Sequence, residues 1–106
     1  MKLVFAIVSK DDSTAVSGAL TQNGFFVTKL ASSGGFLKAG NVTLMICTDD
    51  CKVEELVNTV KVFCKKRVQT VQADSMDEGE FTPYSVEYSV SGATIFVTNV
   101  ERMEKI

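Results

Sequence analysis

Met1-Lys2-Leu3-Val4-Phe5-Ala6-Ile7-Val8-Ser9 is the stretch on which the fold turns. From Leu3 to Val8 no residue is polar, and Leu3, Phe5 and Ile7 alternate with Val4, Ala6 and Val8. A strand built from them is apolar on both faces, because its side chains alternate with a period of 2. The run is far too short to cross a bilayer, which takes about 20 apolar residues in a helix. It has the outline of a short signal-peptide core, yet Ser9-Lys10-Asp11-Asp12 follows it in place of a small-residue cleavage site. The expectation is a buried strand ending near Ser9, in a cytoplasmic chain without membrane insertion.

Working outward, Asp11-Asp12-Ser13 supplies N-cap candidates and Asn23-Gly24 a stop signal, with Val16, Ala19 and Leu20 on one helical face between them. Gly18 weakens this helix slightly and leaves room for close packing. A second strand is expected at 25–30, a loop with three glycines and two serines at 31–40, and a third strand at 42–48. Val53, Leu56, Val57, Val60, Phe63 and Cys64 then recur at helical spacing. Asp49-Asp50 before them and Lys65-Lys66-Arg67 after them match the helix dipole. A short strand at 68–71 and an acidic loop at 73–83 follow. The chain closes with a hairpin of 84–90 and 93–97 about Ser91-Gly92.

The resulting order is β-α-β-β-α-β with an added hairpin strand, an α+β ferredoxin-like pattern forming a single domain over residues 1–106. In that fold two helices cover one face of the sheet. The strands at 2–8, 42–48 and 93–97 are apolar on both faces, so the other face asks for cover. Another copy of the chain is the simplest cover, with long loops folded over the face as the alternative.

Composition narrows the chemistry. The chain has no histidine, which removes the commonest general base, the Ser-His and Cys-His nucleophile pairs and most zinc sites. A formal net charge of −2 lacks the electrostatic footprint of a nucleic-acid binder. Three cysteines, an odd number, read as reduced thiols. Cys47 and Cys51 flank two carboxylates, but no second ligand pair exists, and no metal site or other cofactor is expected. Asp74, Asp77, Glu78 and Glu80 fit no calcium loop, and helix capping accounts for Asp11-Asp12. An enzyme would have to work without a metal motif or an activated nucleophile, so no catalytic residue is assigned. An RNA-binding module would need basic residues around Phe5 and Phe96, and these are absent.

A small-molecule binder with its site at subunit junctions fits best. The loop Thr28-Lys29-Leu30-Ala31-Ser32-Ser33-Gly34-Gly35-Phe36-Leu37-Lys38-Ala39-Gly40-Asn41 is the first candidate. Its glycines let backbone amides approach a phosphate, and an exposed Phe-Leu pair offers a surface for a base. It matches neither a P-loop nor a dinucleotide fingerprint. Taken alone, the plainer reading of a flexible turn with Phe36 tucked into the core prevails.

That loop, with Gly92-Ala93-Thr94-Ile95-Phe96-Val97 and Val100-Glu101-Arg102, resembles the PII-like cyclic di-AMP receptors of Gram-positive bacteria, over residues 1 to about 103. The resemblance implies a homotrimer that binds cyclic di-AMP in clefts between neighbouring subunits. Its loops would rearrange on binding and signal to a downstream protein. By position, Thr28 would bond the ligand through its hydroxyl and Gly34-Gly35 would donate amides and leave room. Phe36 and Leu37 would pack on an adenine, and Asn41 would bond a base edge or ribose. Cys47 stands where the family has a glycine beside an adenine, and Phe26 where it has an arginine. The tail from Met103 to Ile106 replaces aromatics that close the site, and the acidic loop is shorter than usual. A diverged relative that binds another nucleotide, or acts only through protein–protein contacts, is the alternative.

Overall fold

The two-faced run at the N-terminus becomes the central strand β1 (Lys2–Ser9). Val4, Ala6 and Val8 on one face are sealed from solvent, whereas Leu3, Phe5 and Ile7 on the other are half-buried. The structure, a computed structural model, describes residues 1–30, 40–65, 67–77, 80–90 and 92–106. After β1 come α1 (Lys10–Gln22), β2 (Val27–Leu30), β3 (Asn41–Thr48), a 3-10 turn (Asp50–Lys52) and α2 (Val53–Phe63). β4 (Arg67–Asp77), β5 (Glu80–Val90) and β6 (Ala93–Asn99) complete the order.

The main sheet runs β2-β3-β1-β6 with every neighbouring pair antiparallel. Val16 and Leu20 of α1 and Leu56 and Val60 of α2 pack with Val4, Ala6, Val8, Leu44 and Ile46 into one core on a single face of the sheet. Strand order, pairing sense and one-sided helices are those of a small α+β fold compatible with the ferredoxin-like pattern. Among the described residues no helix is long and apolar enough to cross a membrane.

Local chemistry explains the ends of α1. Its N-cap is Ser9, whose Oγ accepts from the Asp11 N–H at 3.2 Å, not the Asp11-Asp12-Ser13 cluster. Asp11 and Asp12 instead occupy the first turn, where carboxylates meet the positive end of the helix dipole. At the other end the Phe25 N–H donates to the Leu20 carbonyl at 3.0 Å and the Gly24 N–H to that of Thr21 at 3.1 Å. This is a Schellman stop, and it needs the positive φ of 90° that Gly24 adopts. Phe25 is thereby turned into the core, and β2 begins only at Val27. Gly18 is exposed and a side chain there would meet open space, so it serves no close packing.

In α2, Leu56 and Val60 are buried, and Cys64, buried at the C-cap, donates its N–H to the Val60 carbonyl at 2.9 Å. Glu54 and Glu55 fill the first turn, while Asp49 and Asp50 belong to the preceding 3-10 turn. Lys61 is the basic residue of the last turn; Lys65 lies beyond the cap, Arg67 opens β4, and Lys66 lies outside the described residues.

Two expectations fail after α2. Residues 73–77 and 80–83 are not an acidic loop: they belong to β4 and β5, which pair antiparallel from Arg67↔Val90 to Asp77↔Glu80 as a separate two-stranded sheet, and Glu78 lies outside the described residues. Phe81, Thr82, Tyr84, Val86, Tyr88 and Val90 are strong strand formers, and they draw Asp74 and Asp77 into the ladder. Pro83 is tolerated because each strand of a ribbon is an edge. Nor do 84–90 and 93–97 form a hairpin. β6 pairs with β1, from Lys2↔Asn99 to Val8↔Ala93, so the two halves of that expected hairpin lie in different sheets. The expected loop at 31–40 lies outside the described residues except for Gly40.

Candidate functional site

The face of the sheet away from the helices carries three of the expected site residues, Thr28, Asn41 and Cys47, along one margin. On β3, Asn41, Thr43, Met45 and Cys47 alternate with the core residues Leu44 and Ile46, so they share that face. On β2, Thr28 pairs with Met45 and Leu30 with Thr43, which puts them on the same face one strand further out. Thr28 and Cys47 are exposed and Asn41 is half-buried. Asn41 is set by Gly40, whose φ of 93° suits glycine and whose carbonyl accepts the Lys10 N–H at 2.7 Å. From Asn41 to Cys47 the file runs about 20 Å at 3.4 Å per residue. Gly34, Gly35, Phe36 and Leu37 lie outside the described residues.

At the Cys47 end the file opens on a cleft of about 190 Å³ whose lining includes Met1, Gly24, Phe26, Cys47, Asp49 and Lys52. The Schellman stop makes it. With Phe25 turned inward, Phe26 is left 89% exposed. The chain's first residue forms part of the wall because the α-amino group of Met1 pairs with Asp50 Oδ1 at 3.2 Å and its carbonyl accepts the Val100 N–H at 3.2 Å. Phe26 and Cys47, each noted from sequence as a departure, thus share one cleft. An aromatic ring beside a thiol offers a flat, polarizable wall to a planar ring. The charges named here, Asp49 and Asp50 against Lys52 and the α-amino group, balance.

Cys47 and Cys51 are exposed thiols, and the Cys64 side chain is buried. Among the described residues no group of three potential ligands could hold a metal ion. Sequence reasoning missed Met1, Gly24, Asp49 and Lys52 as cleft residues, since only the chain reversal at Gly24 and the N-terminal ion pair bring them together. It also passed over Thr43, which is 7% exposed and whose Oγ1 has no hydrogen-bond partner among the described residues. The signal for Thr43 was its place in the same alternating file as Asn41 and Cys47.

A family model described as cyclic-di-AMP receptor matches residues 1–106 of the chain. Among solved structures, a functionally unknown protein from Pediococcus pentosaceus ATCC 25745 is 32% identical, with 99% of this chain and 96% of that one covered and a TM-score of 0.76.

Proposed function

The chain belongs to the cyclic-di-AMP receptor family, and from that membership we propose that it is a signal-transduction receptor that binds cyclic di-AMP in clefts between the subunits of a PII-like homotrimer. The observation that carries this reading is the gathering of Thr28, Asn41, Cys47 and Phe26 along one margin of the helix-free sheet face. A dianionic ligand with two bases needs donors for its oxygens and flat apolar surface for its purines. In the proposed site Thr28 and Asn41 supply hydrogen bonds, Gly34 and Gly35 supply backbone amides, and Phe36 and Leu37 pack on an adenine. Ligand binding rearranges the loops, and the change is relayed to a downstream protein in the cytoplasm. The family is one of receptors, and the proposal needs no catalytic residue.

Isothermal titration of the folded, assembled protein tests this, with ATP and cyclic di-GMP as controls. The expected result is saturable binding of about one cyclic di-AMP per subunit. No heat at high micromolar ligand would overturn the reading.

Phe26 and Cys47 on the cleft favour one second reading, a relative diverged toward another nucleotide or toward protein contacts alone. The double variant Phe26→Arg, Cys47→Gly separates the two. In a cyclic di-AMP site it adds a cation and removes a crowding side chain, and each change is worth about 1–3 kcal/mol, roughly tenfold or more in affinity. Tighter binding is therefore expected, whereas unchanged binding would mark the cleft as repurposed.

A further inference from the structure

Thr43 presents an unexplained cost. It is 7% exposed, and its Oγ1 is a buried polar atom without a hydrogen-bond partner among the described residues. A hydroxyl in that position forfeits its hydration and gains nothing in return. Valine has the same branched shape and the same strand preference without the loss. A threonine here makes physical sense if its hydroxyl is used in another arrangement of the site.

The strand register names the occupant. Thr43 faces Ile7 on β1 and Leu30 on β2, both apolar. Along β3 it lies two residues from Asn41 and two from Met45, which is the partner of Thr28. A ligand that reaches from Thr28 to Asn41 on this face passes the level shared by Leu30 and Thr43, about 7 Å along the strand from either end. The middle of a cyclic dinucleotide is its sugar–phosphate ring, with a base at each end. We propose that the Thr43 hydroxyl is a further binding group of this site, hydrogen-bonded to a ribose or phosphate oxygen of the ligand. The inference rests on the cyclic di-AMP reading and adds a residue that the family resemblance did not supply. Ile7 and Leu30 on either side keep the local dielectric low, which strengthens a hydrogen bond once made. The oxygen is sealed here, so the contact forms only as the side chains around it part for the ligand.

The test compares wild type, Thr43→Val and Thr43→Ser by cyclic di-AMP titration, by urea unfolding without nucleotide, and by sedimentation. Thr43→Val is expected to weaken binding about tenfold or more while its unfolding midpoint stays level or rises and its assembly is unchanged. Thr43→Ser, which keeps the hydroxyl, should bind within about threefold of wild type. Wild-type affinity in Thr43→Val would overturn the inference and leave the receptor reading intact. Lost stability or assembly in Thr43→Val would overturn it by making the hydroxyl a structural or subunit contact. No binding by wild type would defeat the receptor reading itself, and this inference with it.

Discussion

Leu44→Ala is expected to cost about 3 kcal/mol of folding free energy, read as a fall in the urea midpoint at unchanged slope and equal subunit concentration. Leu44 has no solvent exposure and sits on β3, where its register partners are Ala6 on β1 and Lys29 on β2. It packs in the cluster that contains Val16 and Leu20 of α1 and Leu56 and Val60 of α2. The alanine at position 6 has no side-chain freedom with which to fill a void. The strands are held in place by their ladders, so the site cannot collapse and the cavity term stays large. Against a total stability of about 5–15 kcal/mol for a domain of this size, that loss is severe. Val62→Ala is the control: Val62 is 67% exposed on α2, and truncation there should change stability by no more than about 0.5 kcal/mol. Equal losses at the two positions would contradict the placement of the core.

The same contrast shows why some of this fold was legible in the sequence and some was not. β1, α1, β3 and α2 were readable because each encodes its own burial: period 2 with both faces apolar at 2–9, and period 3.6 at Val53, Leu56 and Val60. The partner of β6 was not readable. Ser91-Gly92 is a strong local turn signal, but pairing is decided by which edge needs a ladder, and β1 offered one 91 residues away in sequence at Phe5↔Phe96. The β4–β5 ribbon was hidden for a different reason. Asp74, Asp77 and Pro83 read as loop when taken singly, and only the antiparallel register from Val71↔Val86 to Asp77↔Glu80 shows them as paired residues. Ser9 displaced Asp11 as the cap because β1 ends there and its hydroxyl reaches the Asp11 N–H. In the site, Thr28, Asn41 and Cys47 were identified as separate positions along the chain. Their common face, the cleft at Phe26 and the orphaned oxygen of Thr43 are properties of register, and register is not a local quantity.

Phe5→Asp is expected to dissolve the proposed trimer into monomers by sedimentation velocity, with far-ultraviolet circular dichroism unchanged, and to abolish cyclic di-AMP binding with it. Phe5 lies in register between Phe96 on β6 and Met45 on β3, and Thr28 on β2 follows Met45. This row crosses the whole sheet on the face away from the helices and ends at the proposed ligand margin. Phe5 is half-buried and Phe96 is 47% exposed, which is much aromatic surface for a chain to leave in water. A second copy seated on the row buries it, and one aspartate per subunit then places an unpaired carboxylate in every junction. Desolvating such a charge costs several kcal/mol, and a trimer carries that cost three times over. The isolated chain escapes it, since in the monomer the carboxylate stays hydrated and the core on the other face is untouched. Val62→Asp puts the same charge on the exposed side of α2 and should leave assembly as it was. An assembled Phe5→Asp protein would place the subunit contact elsewhere. A monomeric Phe5→Asp protein that still bound one cyclic di-AMP per chain would detach the site from the junction, leaving Thr28, Asn41 and Thr43 to hold the ligand within a single subunit.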